Sequence, residues 1–282
     1  MPSIKFGINL LLLMFAISPL LGQSAQPTNN ILFRTFMIQT SFERGTAFSI
    51  DVDHREYWIT AKHLLTGAKH PPFGWYTSQS ATISILTATG DKQSWLTEKF
   101  AVIDPGKDID ILVLVPSRLL TDKINTVESG SVNIGLGGDC EFLGFPYGGG
   151  WRAKFSSGES VWLPYVKHCT VSAVIHEDTT VFVLDGINNV GFSGGPILFG
   201  TGDQQKVFAV VSGFHTEPAE IIPNTEPIPT PTGLPVNKDP QKPDFTSKDK
   251  FSVNVNSGFM TAYDLDSALV AIRKTPIGPL RN

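Results

Sequence analysis

Charged side chains are scarce in this sequence. Only 17% of the 282 residues are charged, and acidic residues outnumber basic ones enough to give a net charge of -4. A nucleic-acid-binding protein usually carries a clustered basic surface and a high pI. The composition therefore argues against a nucleic-acid partner. The sequence also contains no internal repeat of the length that is typical of solenoid or propeller folds.

Metal-binding motifs are missing as well. The sequence has no H-E-x-x-H motif, no cysteine pair at zinc spacing and no aspartate-rich loop. We therefore expect neither a metal nor another cofactor.

Long apolar runs are confined to the N-terminus. Lys5 precedes a largely apolar run from Phe6 to Leu21, and small and polar residues follow it. This layout is typical of a secretory signal peptide, with cleavage near residues 22–25. An uncleaved anchor is the alternative, but the run is short for a membrane span and contains a proline. We expect residues 1–25 to be removed, leaving an exported protein, periplasmic or secreted, without stable membrane insertion.

Cysteine is rare, with only Cys140 and Cys169 present. In an oxidising compartment such an even pair favours a disulfide. Two buried free thiols are the alternative.

Glycine and proline are plentiful, and they separate short apolar runs rich in β-branched and aromatic residues. This pattern predicts an all-β chain of antiparallel strands. A polar connector near the middle favours two packed units of similar size. We expect a first β-barrel over residues 31–118, a connector over 119–130 and a second β-barrel over 131–275.

Two segments of the second unit depart from this strand pattern. The segment "DLDSALVAIRK" has helical spacing, with Asp264 as a candidate cap, and predicts a short C-terminal helix. Residues 216–250 are rich in proline and predict a disordered or polyproline-type surface loop. A loop that docks a partner or borders the substrate site is the alternative.

The stretch "VGFSGGPI", Val190 to Ile197, fits two hydrolase signatures. Its G-x-S-x-G pattern is that of an α/β-hydrolase, whose triad runs Ser, then Asp or Glu, then His. Only His215 follows Ser193, and the upstream chain does not alternate strands with helices. The order His, Asp, Ser is satisfied instead, because His63 and Asp110 precede Ser193 at strand ends or turns.

These segments resemble a chymotrypsin-fold (trypsin-like) serine protease, and most closely the bacterial HtrA or Deg type. "ITAKHLL" resembles that family's histidine box, "DIDILVLVP" its aspartate strand and "LDGINNVGFSGGPIL" its serine box. The resemblance implies two packed six-stranded antiparallel β-barrels with a short C-terminal helix. No PDZ-like region follows Lys274, so PDZ-dependent oligomerisation is not implied.

The resemblance also assigns the catalytic roles. Ser193 is the expected nucleophile, His63 the base that takes its proton, and Asp110 the acid that orients the imidazole. Asp108 is the alternative acid, because residues two apart on a strand face one side.

Backbone amides of Gly191 and Ser193 are expected to form the oxyanion hole, since glycine can adopt the turn that aims both at one point. Phe192 departs from the family pattern, which has a polar residue beside the serine. By resemblance the substrate pocket is formed by Ile187 and by the strand residues Ser212, Gly213 and Phe214. No aspartate lies at the pocket floor, which favours an apolar or small substrate side chain there.

The sequence therefore predicts an exported serine endopeptidase that acts on protein or peptide substrates through an acyl-enzyme intermediate. The alternative is a catalytically inactive trypsin-fold protein that binds peptides or partners.

Overall fold

Strands dominate the chain. The computed structural model describes residues 27–68, 71–89, 92–121, 128–130, 134–154, 160–221 and 251–281. The predicted signal peptide and residues 222–250 of the proline-rich segment lie outside this part. No helix of the described part is long and apolar enough to cross a membrane.

Six antiparallel strands of the N-terminal half close into a barrel. Their spatial order is β1-β2-β3-β6-β5-β4, and the barrel closes where Ile38 of β1 pairs with Ile85 of β4. The strands are β1 (Thr35–Gln39), β2 (Arg44–Val52), β3 (Arg55–Thr60), β4 (Ser80–Thr89), β5 (Lys92–Ile103) and β6 (Leu112–Pro116).

The described residues of the C-terminal half form nine strands. They are β7 (Glu128–Ser129), β8 (Asp139–Gly144), β9 (Trp151–Lys154), β10 (Ser160–Leu163), β11 (Tyr165–His176), β12 (Thr180–Asp185), β13 (Pro196–Phe199), β14 (Lys206–Ile221) and β15 (Phe251–Asp264).

Six of these nine strands form a second ring, in the order β13-β8-β11-β12-β15-β14. The ring closes because β14 pairs back onto β13, with Pro196 opposite Val210. Strand β7 adds to β14 in parallel, while β9 and β10 form a separate hairpin. The predicted fold class is therefore confirmed as two six-stranded antiparallel barrels of chymotrypsin-like architecture with a short C-terminal helix.

Three helices accompany the barrels in the described part: α1 (Asn29–Phe33), α2 (His63–Thr66) and α3 (Asp266–Lys274). Helix α1 occupies the start of the predicted first barrel, whose first strand instead begins at Thr35. Residues Thr216–Ile221, assigned to the proline-rich loop from composition, continue β14 and pair with Phe251–Asn256 of β15.

Each barrel has its own apolar interior, and a third apolar cluster joins the two. This shared core contains Val113 and Val115 of β6, Leu143 of β8 and Leu269 and Ile272 of α3. Burial of apolar surface is the main attraction between the halves. The shared core fixes how the two barrels pack, and the candidate site lies where they meet.

The two cysteines face each other at paired positions of β8 and β11. Cys140 and Cys169 are buried thiols with their Sγ atoms 2.7 Å apart. The hydrogen bond to Cys140 and burial raise the pKa of the Cys169 thiol. The disulfide stays a prediction that mass measurement of the protein with and without reductant would test.

Glu141 is a buried acid beside this pair. Its side chain is 3% exposed, one carboxylate oxygen has no hydrogen-bond partner, and the imidazole of His168 lies 3.8 Å from the other. Burial raises the pKa of Glu141 from its ordinary value to about 7. Between about pH 4.5 and 7 the folded protein therefore keeps a proton that the unfolded chain releases.

Stability should fall as pH rises through this window, because the folded state binds more protons there. We expect Glu141→Gln to raise the free energy of unfolding by about 1 to 3 kcal/mol at pH 8 and by little at pH 4. Urea unfolding at both pH values checks this. The matched control is Glu177→Gln on the exposed β11–β12 turn, and a gain that is equal at both pH values would contradict the explanation.

Candidate active site

The three predicted triad residues come from separate elements and are connected by hydrogen bonds where the two barrels pack together. His63 begins α2 directly after β3, Asp110 ends the loop before β6, and Ser193 lies in the turn between β12 and β13. This convergence is possible because each residue sits at the end of a strand or in a turn.

Asp110 is fully buried and binds His63 at two points. Its Oδ1 accepts the His63 backbone N–H at 2.8 Å, and its Oδ2 lies 2.7 Å from His63 Nδ1. A carboxylate can only accept, so Nδ1 carries the proton and Nε2 of a neutral ring keeps a lone pair. The arrangement thus leaves Nε2 able to take a proton.

Asp108, the alternative acid, points elsewhere. Its carboxylate is 55% exposed and lies 4.0 Å from the ammonium of Lys107. The expectation that Asp108 and Asp110 share a face assumed a strand, whereas β6 begins only at Leu112. Asp110 is the acid that the fold brings to His63.

Ser212 connects the nucleophile to the acid. The Ser193 hydroxyl donates to the Ser212 backbone oxygen at 3.1 Å, and the Ser212 hydroxyl donates to Asp110 Oδ2. The sequence predicted Ser212 only as a substrate-binding residue. Its contact with Asp110 crosses 102 residues of chain, and no local pattern indicates it.

The turn that carries Ser193 requires glycine at position 191. Gly191 has φ +105, and a Cβ there would lie 2.3 Å from the Phe145 backbone oxygen. Val190 O accepts the Tyr147 N–H at 2.7 Å. Because the peptide is trans and planar, this bond turns the Gly191 N–H to the opposite side.

Two amides of this turn are left free to bind an anion. In the described part of the structure, neither the Gly191 N–H nor the Ser193 N–H donates to an acceptor, while Phe192 N–H donates to Asn189 O. Two unpaired amides separated by one residue are the donors that an oxyanion hole needs.

Phe192, which the family pattern does not explain, is a core residue. Its buried ring packs edge-on against Phe142 at 4.9 Å between centroids, and Lys167 Nζ lies 5.4 Å from the ring centre. The side chain therefore packs into the interior of the second barrel and holds the turn from that side.

Thr46 of β2 is a residue that sequence reasoning missed. Its hydroxyl donates to Gly191 O at 2.7 Å, and its backbone N–H donates to Ser193 O at 2.8 Å. One residue of the first barrel thus fixes two carbonyls of the nucleophile turn. A lone threonine inside a strand carries no signal that could have revealed this role.

Lys62, which precedes His63, is also anchored in the cleft. Its fully buried ammonium lies 2.8 Å from Asp104 Oδ1 and donates to the backbone oxygens of Gly74 and Gly106. It therefore ties the loop that leads to Asp110 to the segment that carries His63.

The predicted pocket residues are partly brought together. Asn188 Nδ2 donates to Gly213 O at 3.2 Å, and the space above Gly213 is open. Phe214 is half-buried against the second-barrel core. Ile187 is 60% exposed, and its backbone oxygen accepts Lys167 Nζ at 2.6 Å. Burial lowers the pKa of Lys167.

Comparison with known proteins gives structural likeness only. No family model and no curated protein matches the sequence. The chain is similar to the active form of the Rv3671c protease from M. tuberculosis, at 15% identity, with 92% of this chain and 91% of that chain covered and a TM-score of 0.46.

Two further solved structures are similar in the same way. The HtrA-type protease AlgW, solved with a tripeptide, is 14% identical over 87% of this chain and 60% of that chain, with a TM-score of 0.47. Deg5 is 18% identical over 65% of this chain and 80% of that chain, with a TM-score of 0.42. The neighbours are thus HtrA- and Deg-type trypsin-like proteases, and at this level of likeness they determine nothing about the activity of this chain.

Proposed function

We propose that this protein is a serine endopeptidase with Ser193 as nucleophile, His63 as general base and Asp110 as orienting acid. The observation that carries the proposal is the double contact of buried Asp110 with His63, which leaves Nε2 as an acceptor. The two unpaired amides of the Ser193 turn support it.

The reaction follows from these contacts. The Ser193 hydroxyl turns about its side-chain bond from Ser212 O toward His63 Nε2, gives up its proton and attacks the substrate carbonyl. The Gly191 and Ser193 amides bind the resulting oxyanion. His63 then protonates the departing amine, which leaves an acyl-enzyme, and a water activated by the same imidazole releases the acyl group.

Strand β14 is the proposed binding site for the substrate backbone. Residues Ser212–Phe214 lie in a strand whose other edge pairs with β15, and an extended substrate can add along the free edge. We propose protein or peptide substrates, with Ile187 beside the pocket. An exported enzyme, periplasmic or secreted, accords with the predicted signal peptide.

A peptide-binding protein without catalysis is the second candidate function. One observation favours it, namely that the Ser193 hydroxyl donates to the Ser212 backbone oxygen and not to His63. Apo enzymes often form the nucleophile–base bond only when substrate is present.

Covalent labelling separates the two candidates. We expect a fluorophosphonate probe to label the parent protein and to leave Ser193→Ala unlabelled, with labelling of His63→Ala slowed by at least about 1000-fold. Intact-mass spectrometry over time measures all three. If the parent resists the probe as completely as Ser193→Ala does, the enzyme proposal is wrong.

A further inference from the structure

Glu43 lies on the turn between β1 and β2, and this turn is fastened to the helix that carries His63. The Thr40 hydroxyl donates to Leu64 O of α2 at 2.6 Å, and the Thr40 N–H donates to Glu43 O at 3.0 Å. These two hydrogen bonds fix the backbone of Glu43 relative to the helix that carries His63.

The Glu43 carboxylate faces the reactive nitrogen of His63. Its Oε1 lies 4.0 Å from His63 Nε2, whereas Asp110 Oδ2 lies 2.7 Å from the other ring nitrogen, Nδ1. The Glu43 oxygen is buried and has no hydrogen-bond partner, although the side chain as a whole is 25% exposed. Buried carboxylate oxygens are normally hydrogen-bonded, so this oxygen leaves the Glu43 charge without a local donor, and the exposed quarter of the side chain is the part that a substrate can meet.

No lysine or arginine of the described part lies within 4.0 Å of this carboxylate. The neighbouring Arg44 is directed elsewhere, because its Nε donates to Gln39 Oε1 and its guanidinium lies 5.6 Å from the Trp95 ring centre. Within the described residues, the negative charge of Glu43 therefore has no lysine or arginine partner.

We infer that Glu43 is a specificity-determining residue that selects a cationic side chain, lysine or arginine, on the leaving-group side of the scissile bond. The inference rests on the proposed function. His63 Nε2 is the atom that delivers a proton to the departing amine, so a carboxylate 4.0 Å from it borders the first residues of the leaving peptide. Opposite charges at such a distance attract even where water screens them.

On the acyl side of the scissile bond, the charge beside the predicted pocket is positive. Lys167 places its ammonium against Ile187 O and Asn189 Oδ1, at 2.6 Å from each. A cationic residue after the scissile bond therefore faces Glu43, whereas a cationic residue before it would be repelled by Lys167.

Matched peptides with one acyl portion and Lys, Gln or Glu as the first leaving-group residue test the inference. For the parent we expect kcat/KM to be about 10-fold higher with Lys than with Gln, and lower still with Glu. Glu43→Gln should abolish the difference, and Glu43→Lys should reverse its sign. The control Glu177→Gln, remote on the β11–β12 turn, should keep the parent preference.

The fluorophosphonate probe has no leaving-group residue and reports the catalytic machinery separately. The inference is wrong if the labelled parent cleaves all three peptides equally, or if the lysine preference persists in both Glu43 variants. Either result leaves the proposed function standing. A parent that is neither labelled nor active overturns both. Thermal unfolding of Glu43→Gln and Glu43→Lys beside the parent shows whether the variants are folded.

Discussion

Replacing Asp110 with asparagine should lower the rate of fluorophosphonate labelling and of peptide cleavage by about 10,000-fold, with the fold preserved. Asp110 Oδ1 accepts the His63 backbone N–H, which can only donate. The asparagine must therefore keep its oxygen there and turn its NH₂ group toward His63 Nδ1. The imidazole then has to accept at Nδ1, its proton moves to Nε2, and Nε2 can no longer act as a base.

Asp108→Asn is the matched control, because that carboxylate is exposed and contacts Lys107 instead of His63. It should label within about threefold of the parent. Labelling kinetics at pH 7 and thermal unfolding of all three proteins provide the comparison. An Asp110→Asn protein that reacts as fast as the control would show that the buried acid does not set the tautomer of His63.

Loss of the Arg281 guanidinium should lower the free energy of unfolding by about 3 to 5 kcal/mol. Arg281 follows α3 and crosses to the first barrel, where it lies 2.7 Å from Glu56 Oε2 and 3.1 Å from Asp51 Oδ2. Glu56 is fully buried. Arg281→Met leaves that carboxylate without its cation, and the desolvated charge is then only partly satisfied.

The remaining partners of Glu56 set the scale of this loss. Trp58 Nε1 and the Thr121 hydroxyl still donate to its carboxylate in the variant, so the site keeps hydrogen bonds but loses its countercharge. Arg273→Met, on the exposed side of α3, should change stability by less than about 0.5 kcal/mol. Urea unfolding at pH 7 compares the two, and similar small losses for both would mean that the residues after α3 do not hold the barrels together.

The sequence predicted the architecture because its signals are local. Alternating β-branched and aromatic runs bounded by glycine and proline predict strands wherever the partner strands lie. The boundaries were less predictable, since the apolar residues of α1 read equally well as strand, and the charged, proline-containing residues Thr216–Ile221 read as loop. In both places pairing and packing within the fold override local composition.

Part of the site could be anticipated in the same way. Histidine, aspartate and serine stand in an order and in motifs that point to one chemistry, and Gly191 is the residue that its positive φ requires. Phe192 was the exception, because a motif cannot tell whether a side chain enters a core or an active-site cleft. Its packing on Phe142 shows that the Phe192 side chain enters the core.

What the sequence by itself determined is therefore the fold class, the candidate triad and the turn that carries the nucleophile. Only the tertiary structure decided that Ser212 links Ser193 to Asp110, that Thr46 holds the nucleophile turn and that Glu43 faces His63. The hydrogen bond from Thr46 to Gly191 spans 145 residues and the one from Ser212 to Asp110 spans 102. Contacts of this kind depend on how two closed barrels pack, and a single threonine, serine or glutamate in a strand or turn carries no local trace of them.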